Sequence, residues 1–62
     1  MIITLTDKDG IRFDVNTFTI DEVHGSPGGT ELILSTGETI ICKESASKVM
    51  SLIVSAQFGG AV

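Results

Sequence analysis

Cysteine occurs once in these 62 residues, at Cys42, and histidine once, at His24. An intramolecular disulfide is therefore impossible. A structural zinc site, which takes about four such ligands, cannot be assembled from two. Tryptophan and tyrosine are absent, so platforms for stacking bases are scarce. Basic residues number four against eight acidic ones. That balance opposes binding to a phosphate backbone and argues against a nucleic-acid partner. No apolar run approaches the roughly 20 residues of a membrane span, so no membrane partner is expected. The start, MIITLTDKDG, has no basic segment followed by an apolar stretch, and no secretory signal is expected. One unpaired thiol suits a reducing cytoplasm.

What is present is enough for one small domain over 1–62. A chain this short buries only about 60% of its unfolded surface, so its core is marginal. Small chains offset this with disulfides, metal or oligomerisation. With the first two excluded, self-association is the expected remedy.

Alternation marks the strands. Ile3 and Leu5 share one side of a strand over Ile2 to Thr6, and Asp9-Gly10 signals a hairpin. Ile11, Phe13 and Val15 then point inward, with Arg12 and Asp14 outward. Asn16-Thr17 is a corner. Thr19 to His24 breaks the pattern, since Ile20 and Val23 stand three apart. Either a β-bulge or a single helical turn accounts for it. Gly25 to Gly29 reads as a loop. Thr30 to Ser35 and Glu38 to Lys43 form a second hairpin around Thr36-Gly37. Ser45 or Ser47 caps a helix that ends near Gln57, before Gly59-Gly60. The expected class is α+β: a small curved antiparallel sheet of four or five strands over 1–43, one helix over 45–57 packed on it, and a tail over 58–62.

The helix carries more apolar surface than that sheet can cover. Ala46, Val49, Leu52, Ile53 and Ala56 cluster on one side at 100° per residue, and Met50, Val54 and Phe58 form a second stripe. Ile2, Ile33 and Ile41 point to the sheet's opposite face. Small proteins leave some apolar area exposed. An excess this large instead suggests an interface, in which burying Met50, Val54 and Phe58 contributes on the order of 5 kcal/mol. These six residues are the candidate oligomer interface.

No catalytic constellation stands out, and no cofactor or metal is expected. His24 beside Glu22 has no placed nucleophile near it, and a surface role is the plainer reading. Cys42 alternates with Ile40 and reads as a small buried hydrophobe. Gly25, Gly28 and Gly29 lack the following helix of a phosphate loop. Asp7, Asp9 and Gly10 lack the distal glutamate of a calcium loop. Arg12, Lys43 and Lys48 are three of the four basic residues. Symmetry could gather Arg12 and Lys43 around an anionic ligand, with Phe18 the one exposed aromatic for stacking. Isolated surface charge is the simpler alternative.

The whole chain resembles the FlbD family of small bacterial proteins linked to flagella and swarming. The resemblance runs through Met1-Ile2, Leu5-Thr6, Gly10, Phe13, Val15-Asn16, Ile20, Val23 and Pro27. It continues through Thr30, Leu34, Gly37, Ile40, Lys43-Glu44-Ser45, Val49 and Ile53. Val15-Asn16 and Lys43-Glu44-Ser45 are its distinctive parts. Lys48 departs from the pattern, standing where relatives carry the acidic residue of a capping box. So does the apolar ending SLIVSAQFGGAV, where relatives are charged. The resemblance implies a non-enzymatic regulatory or adaptor protein acting through protein contact. The departures suggest an alternative: a phage-encoded counter-defence protein that sequesters an anionic signalling nucleotide between subunits.

Overall fold

Glycines with positive φ set the first and the last of the three hairpin turns. Gly10 (φ 85°) closes the turn between β1 (Ile2–Thr6) and β2 (Arg12–Asn16). Gly37 (φ 92°) closes the turn between β4 (Gly29–Leu34) and β5 (Thr39–Cys42). An L side chain would be strained at either place. The structure, a computed structural model, describes residues 1–58, with Phe58 known by its backbone alone.

The chain order is β1, β2, a short 3-10 helix (Thr17–Thr19), β3 (Ile20–Ser26), β4, β5 and α1 (Ala46–Phe58). The class is α+β. The strands form two antiparallel sheets, β1-β2 and β3-β4-β5, where one continuous sheet was expected. The reason lies at the seam. Among the described residues, the backbone pairing that joins the ends of β1 and β5 is the Asp7–Cys42 bridge and the Lys43 N–H, which donates to the Thr6 carbonyl at 2.8 Å. The next ladder position is occupied by a side chain. The Thr6 N–H donates to the Glu44 carboxylate at 2.9 Å, and the chain then leaves for the helix.

Local details follow from the side chains. Asn16 ends β2 because its Oδ1 accepts from the Phe18 N–H at 3.0 Å, capping the 3-10 helix. The irregular stretch is a bulged strand: the β3–β4 register shifts between Ile20 and Glu22. That shift brings both Ile20 and Val23 against the core. The expected glycine-rich loop is instead a tight hairpin. β3 runs to Ser26 and β4 starts at Gly29, leaving Pro27-Gly28 as the turn. Gly25 and Gly29 are strand residues held close to neighbours: a Cβ on Gly25 would stand 3.2 Å from that of Ala46, and one on Gly29 would run into the Cys42 carbonyl.

Ser45 starts α1. Its Oγ accepts from the Lys48 N–H at 3.2 Å and its carbonyl from the Val49 N–H at 2.9 Å. The helix lies over β1, β3 and β4 and so covers both sheets. Ile3, Leu5, Val15, Leu32, Cys42 and Val49 form the buried core, with Phe13, Leu34, Ile40, Leu52, Ile53 and Ala56 packed around it. Ile11, expected inward, is 63% exposed. It precedes β2, where its backbone is used to close the turn with Asp7 and its side chain falls outside the core. Phe58 belongs to the helix. The rest of the expected tail, and the Gly59-Gly60 stop, lie outside the described residues.

Candidate interaction site

Once Val49, Leu52, Ile53 and Ala56 have met the core, α1 still presents apolar side chains. Met50 is 46% and Val54 49% exposed. Lys48 is the one charged residue of the helix, and none of the eight acidic residues lies on it. Phe58, the third member of this stripe, has a side chain outside the described residues.

Met50 also borders a groove of about 360 Å³ between α1 and the start of β3. Ile20, Val23 and Ile53 supply its other apolar walls, and Asp21 and Gln57 are polar lining residues. Thr17 lines it as well. Its Oγ1 is buried and has no hydrogen-bond partner among the described residues. A buried hydroxyl left unpaired costs about 1–3 kcal/mol. Sequence reasoning did not find this groove. The three-residue spacing of Ile20 and Val23 was its one visible sign.

The remaining isoleucines are divided. Ile2 is exposed on β1, in the two-stranded sheet. Ile33 and Ile41 lie on β4 and β5 of the other sheet, Ile41 exposed and Ile33 half-buried. The three therefore do not sit on neighbouring strands of one sheet. Ile41 instead borders a cleft of about 250 Å³ with Thr39 and the Asp7-Lys8-Asp9 turn. The Asp7 carboxylate is already engaged there, accepting from the N–H groups of Asp9 and Ile11 at 2.9 Å each. Among the described residues no group of three His, Cys, Asp or Glu side chains is arranged to hold a metal.

The backbones of Arg12 and Lys43 meet Thr6 at the same seam. Arg12 is paired with Thr6 in the β1–β2 ladder, while the Lys43 N–H binds the Thr6 carbonyl from the other side. Glu44 stands at this seam too. Partial burial favours its protonated form, but the N–H groups of Thr6 and of Glu44 itself, with the Arg12 charge, outweigh that. The carboxyl is held below the ordinary glutamate range. An incoming anion at Arg12 would meet that carboxylate. Phe18, at 73% exposure, lies apart on the 3-10 helix between β2 and β3. Lys48 is exposed in the first turn of α1.

His24 Nε2 and Glu22 Oε1 are 2.8 Å apart, with both side chains exposed. Such surface pairs contribute about 0–1 kcal/mol. Cys42 is buried, and burial, with the nearby Glu44 charge, pushes its thiol above the usual range. That disfavours the nucleophilic thiolate.

These features define a small α+β protein with three hairpin connections, a serine-capped helix after the strands and apolar surface left over. The family model described as "FlbD: Flagellar and Swarming motility proteins" matches residues 1–58, nearly the whole chain. The chain belongs to that family. No curated protein and no solved structure matches it. No helix among the described residues is long and apolar enough to cross a membrane.

Proposed function

We propose that this chain is a non-enzymatic, homo-oligomeric adaptor that acts by protein contact, in the motility context of its family. The observation that carries this reading is the uncharged stripe of α1. Met50 and Val54 remain about half exposed after the opposite side of the helix has filled the core. Contiguous exposed apolar surface of this kind marks interaction sites. Burying it would supplement the marginal core of a 62-residue chain. A reducing cytoplasm suits the single buried thiol. Sedimentation at low micromolar concentration tests the reading. A mass of two chains or more is expected, and a species of 6.5 kDa would overturn it.

A second reading draws on the seam. Arg12 and Lys43 flank Thr6 from opposite sides. In an oligomer, several such pairs could hold a signalling nucleotide through charge-assisted hydrogen bonds, as a phage counter-defence protein would. Glu44 opposes it, so the adaptor is the first reading.

A further inference from the structure

Phe18 is the most exposed large apolar side chain among the described residues, at 73%. It follows Thr17 and stands two residues before Ile20, and both of those line the groove against α1. A protruding aromatic and residues of an apolar groove are therefore neighbours in the chain, where the 3-10 helix enters β3. We propose that Phe18 of one copy inserts between Val23, Met50 and Ile53 of a second copy, and that the second copy's Phe18 does the same in return.

The occupant is a second copy for three reasons. A two-fold contact is self-complementary: the same patch must hold both the inserting group and its receptor. Here they are neighbours in the chain. Charge allows it as well. The protein carries a net −4, which opposes association of like chains, yet among the described residues Asp21 is the one carboxylate that lines the groove, and the helix has none. Area is the third. A specific interface buries at least about 1,000 Å² in total, or about 500 Å² per copy. That is roughly one eighth of the 3986 Å² surface of the chain. A buried aromatic alone contributes about 150–250 Å². Met50 and Val54, one helical turn apart, extend the same contact. The groove volume of about 360 Å³ accommodates a phenyl ring. Anchors of this type, an aromatic in an apolar pocket, dominate binding energy in protein interfaces.

This mode rests on the oligomeric reading above, and the experiment separates the two. Sedimentation equilibrium compares the wild type with Phe18→Ala, whose side chain is exposed and whose loss leaves the core intact. The variant is expected to dissociate at least tenfold more readily, with unchanged circular dichroism. A second measurement tests the pairing itself. Phe18→Cys and Met50→Cys proteins are mixed under mild oxidation. A disulfide joining the two variants is expected, in clear excess over disulfides within either variant alone. A wild type that associates while Phe18→Ala associates equally, or a mixture without the cross-variant disulfide, overturns the insertion and leaves the oligomer standing. A monomeric wild type overturns both.

Discussion

The Thr6 N–H and the Glu44 carboxylate stand 2.9 Å apart, although 38 residues separate them. This contact ends the β1–β5 seam. The same Thr6 accepts the Lys43 N–H, so both backbone groups of one residue are bound by consecutive residues of the helix approach. The Glu44 carbonyl is used as well, accepting from the buried Thr30 hydroxyl at 2.7 Å. Lys43-Glu44-Ser45 thus joins β1, β4 and α1 at one point, a role beyond that of a helix start.

Acid should weaken this junction. The Glu44 pKa is depressed in the folded chain. Its contribution is therefore complete above the unfolded value of about 4.3 and is lost as pH falls through the lower folded value. Urea midpoints measured between pH 6 and pH 3 should fall more steeply for the wild type than for Glu44→Gln, which has no charge to lose there. Parallel curves would show that Glu44 adds no pH-dependent stability.

Gly29→Ala should be severely destabilising. The added methyl would collide with the Cys42 carbonyl, which is backbone and cannot rotate aside. Forcing strands apart belongs to the mechanisms with large effects, here at least about 2 kcal/mol. For a domain of this size that lowers the thermal midpoint by roughly 8–16 °C. An unchanged midpoint would mean that β4 and β5 separate at no cost. Gly28→Ala loses a favourable turn conformation but meets no neighbour, and a smaller loss is expected.

Much of this fold can be read from local pattern. The alternation of Ile3, Leu5, Phe13 and Val15 identifies the first hairpin, and these four do pack in or against the core. A serine cap at Ser45 or Ser47 and the apolar spacing identify the helix, and Ser45 is the one that caps it. Gly25 and Gly29 mislead because glycine is common both in loops and where backbones approach closely. Here the second cause holds, and it depends on Ala46 and Cys42, distant in sequence. The split into two sheets is invisible for the same reason, since it turns on Glu44 replacing one ladder bond. Of the candidate site, the surplus of Met50 and Val54 follows from helical period. The groove depends on the bulge at Ile20–Glu22 and on where α1 crosses β3.

Val54→Glu tests the helix stripe apart from Phe18. Val54 is about half exposed, so the isolated chain tolerates the charge. Burying that charge unpaired against a second copy would be costly. The variant is expected to sediment as a smaller species, with helix and strand signals retained. If assembly is unchanged, the contact lies elsewhere, and Ile2, Ile33 and Ile41 become the residues to alter next.

Anion binding is the last expectation, and the seam allows a sharp test of it. Arg12 and Lys43 flank Thr6, and Glu44 lies close enough for the Arg12 charge to lower its pKa. Removing that carboxylate should therefore strengthen any anion site. Calorimetry against a panel of cyclic and linear nucleotides should give heat with the wild type, more favourable binding with Glu44→Gln, and none with Arg12→Ala. Phosphate recognition should outweigh base stacking, because Phe18 is the one exposed aromatic among the described residues and lies on the 3-10 helix away from the seam. Phe18→Ala, compared at a concentration where it is still assembled, should then keep nucleotide affinity within about twofold of the wild type. Absence of heat with every nucleotide, or equal binding by Arg12→Ala, removes the ligand reading. The adaptor would then stand alone, because its contact surface includes neither Arg12 nor Lys43.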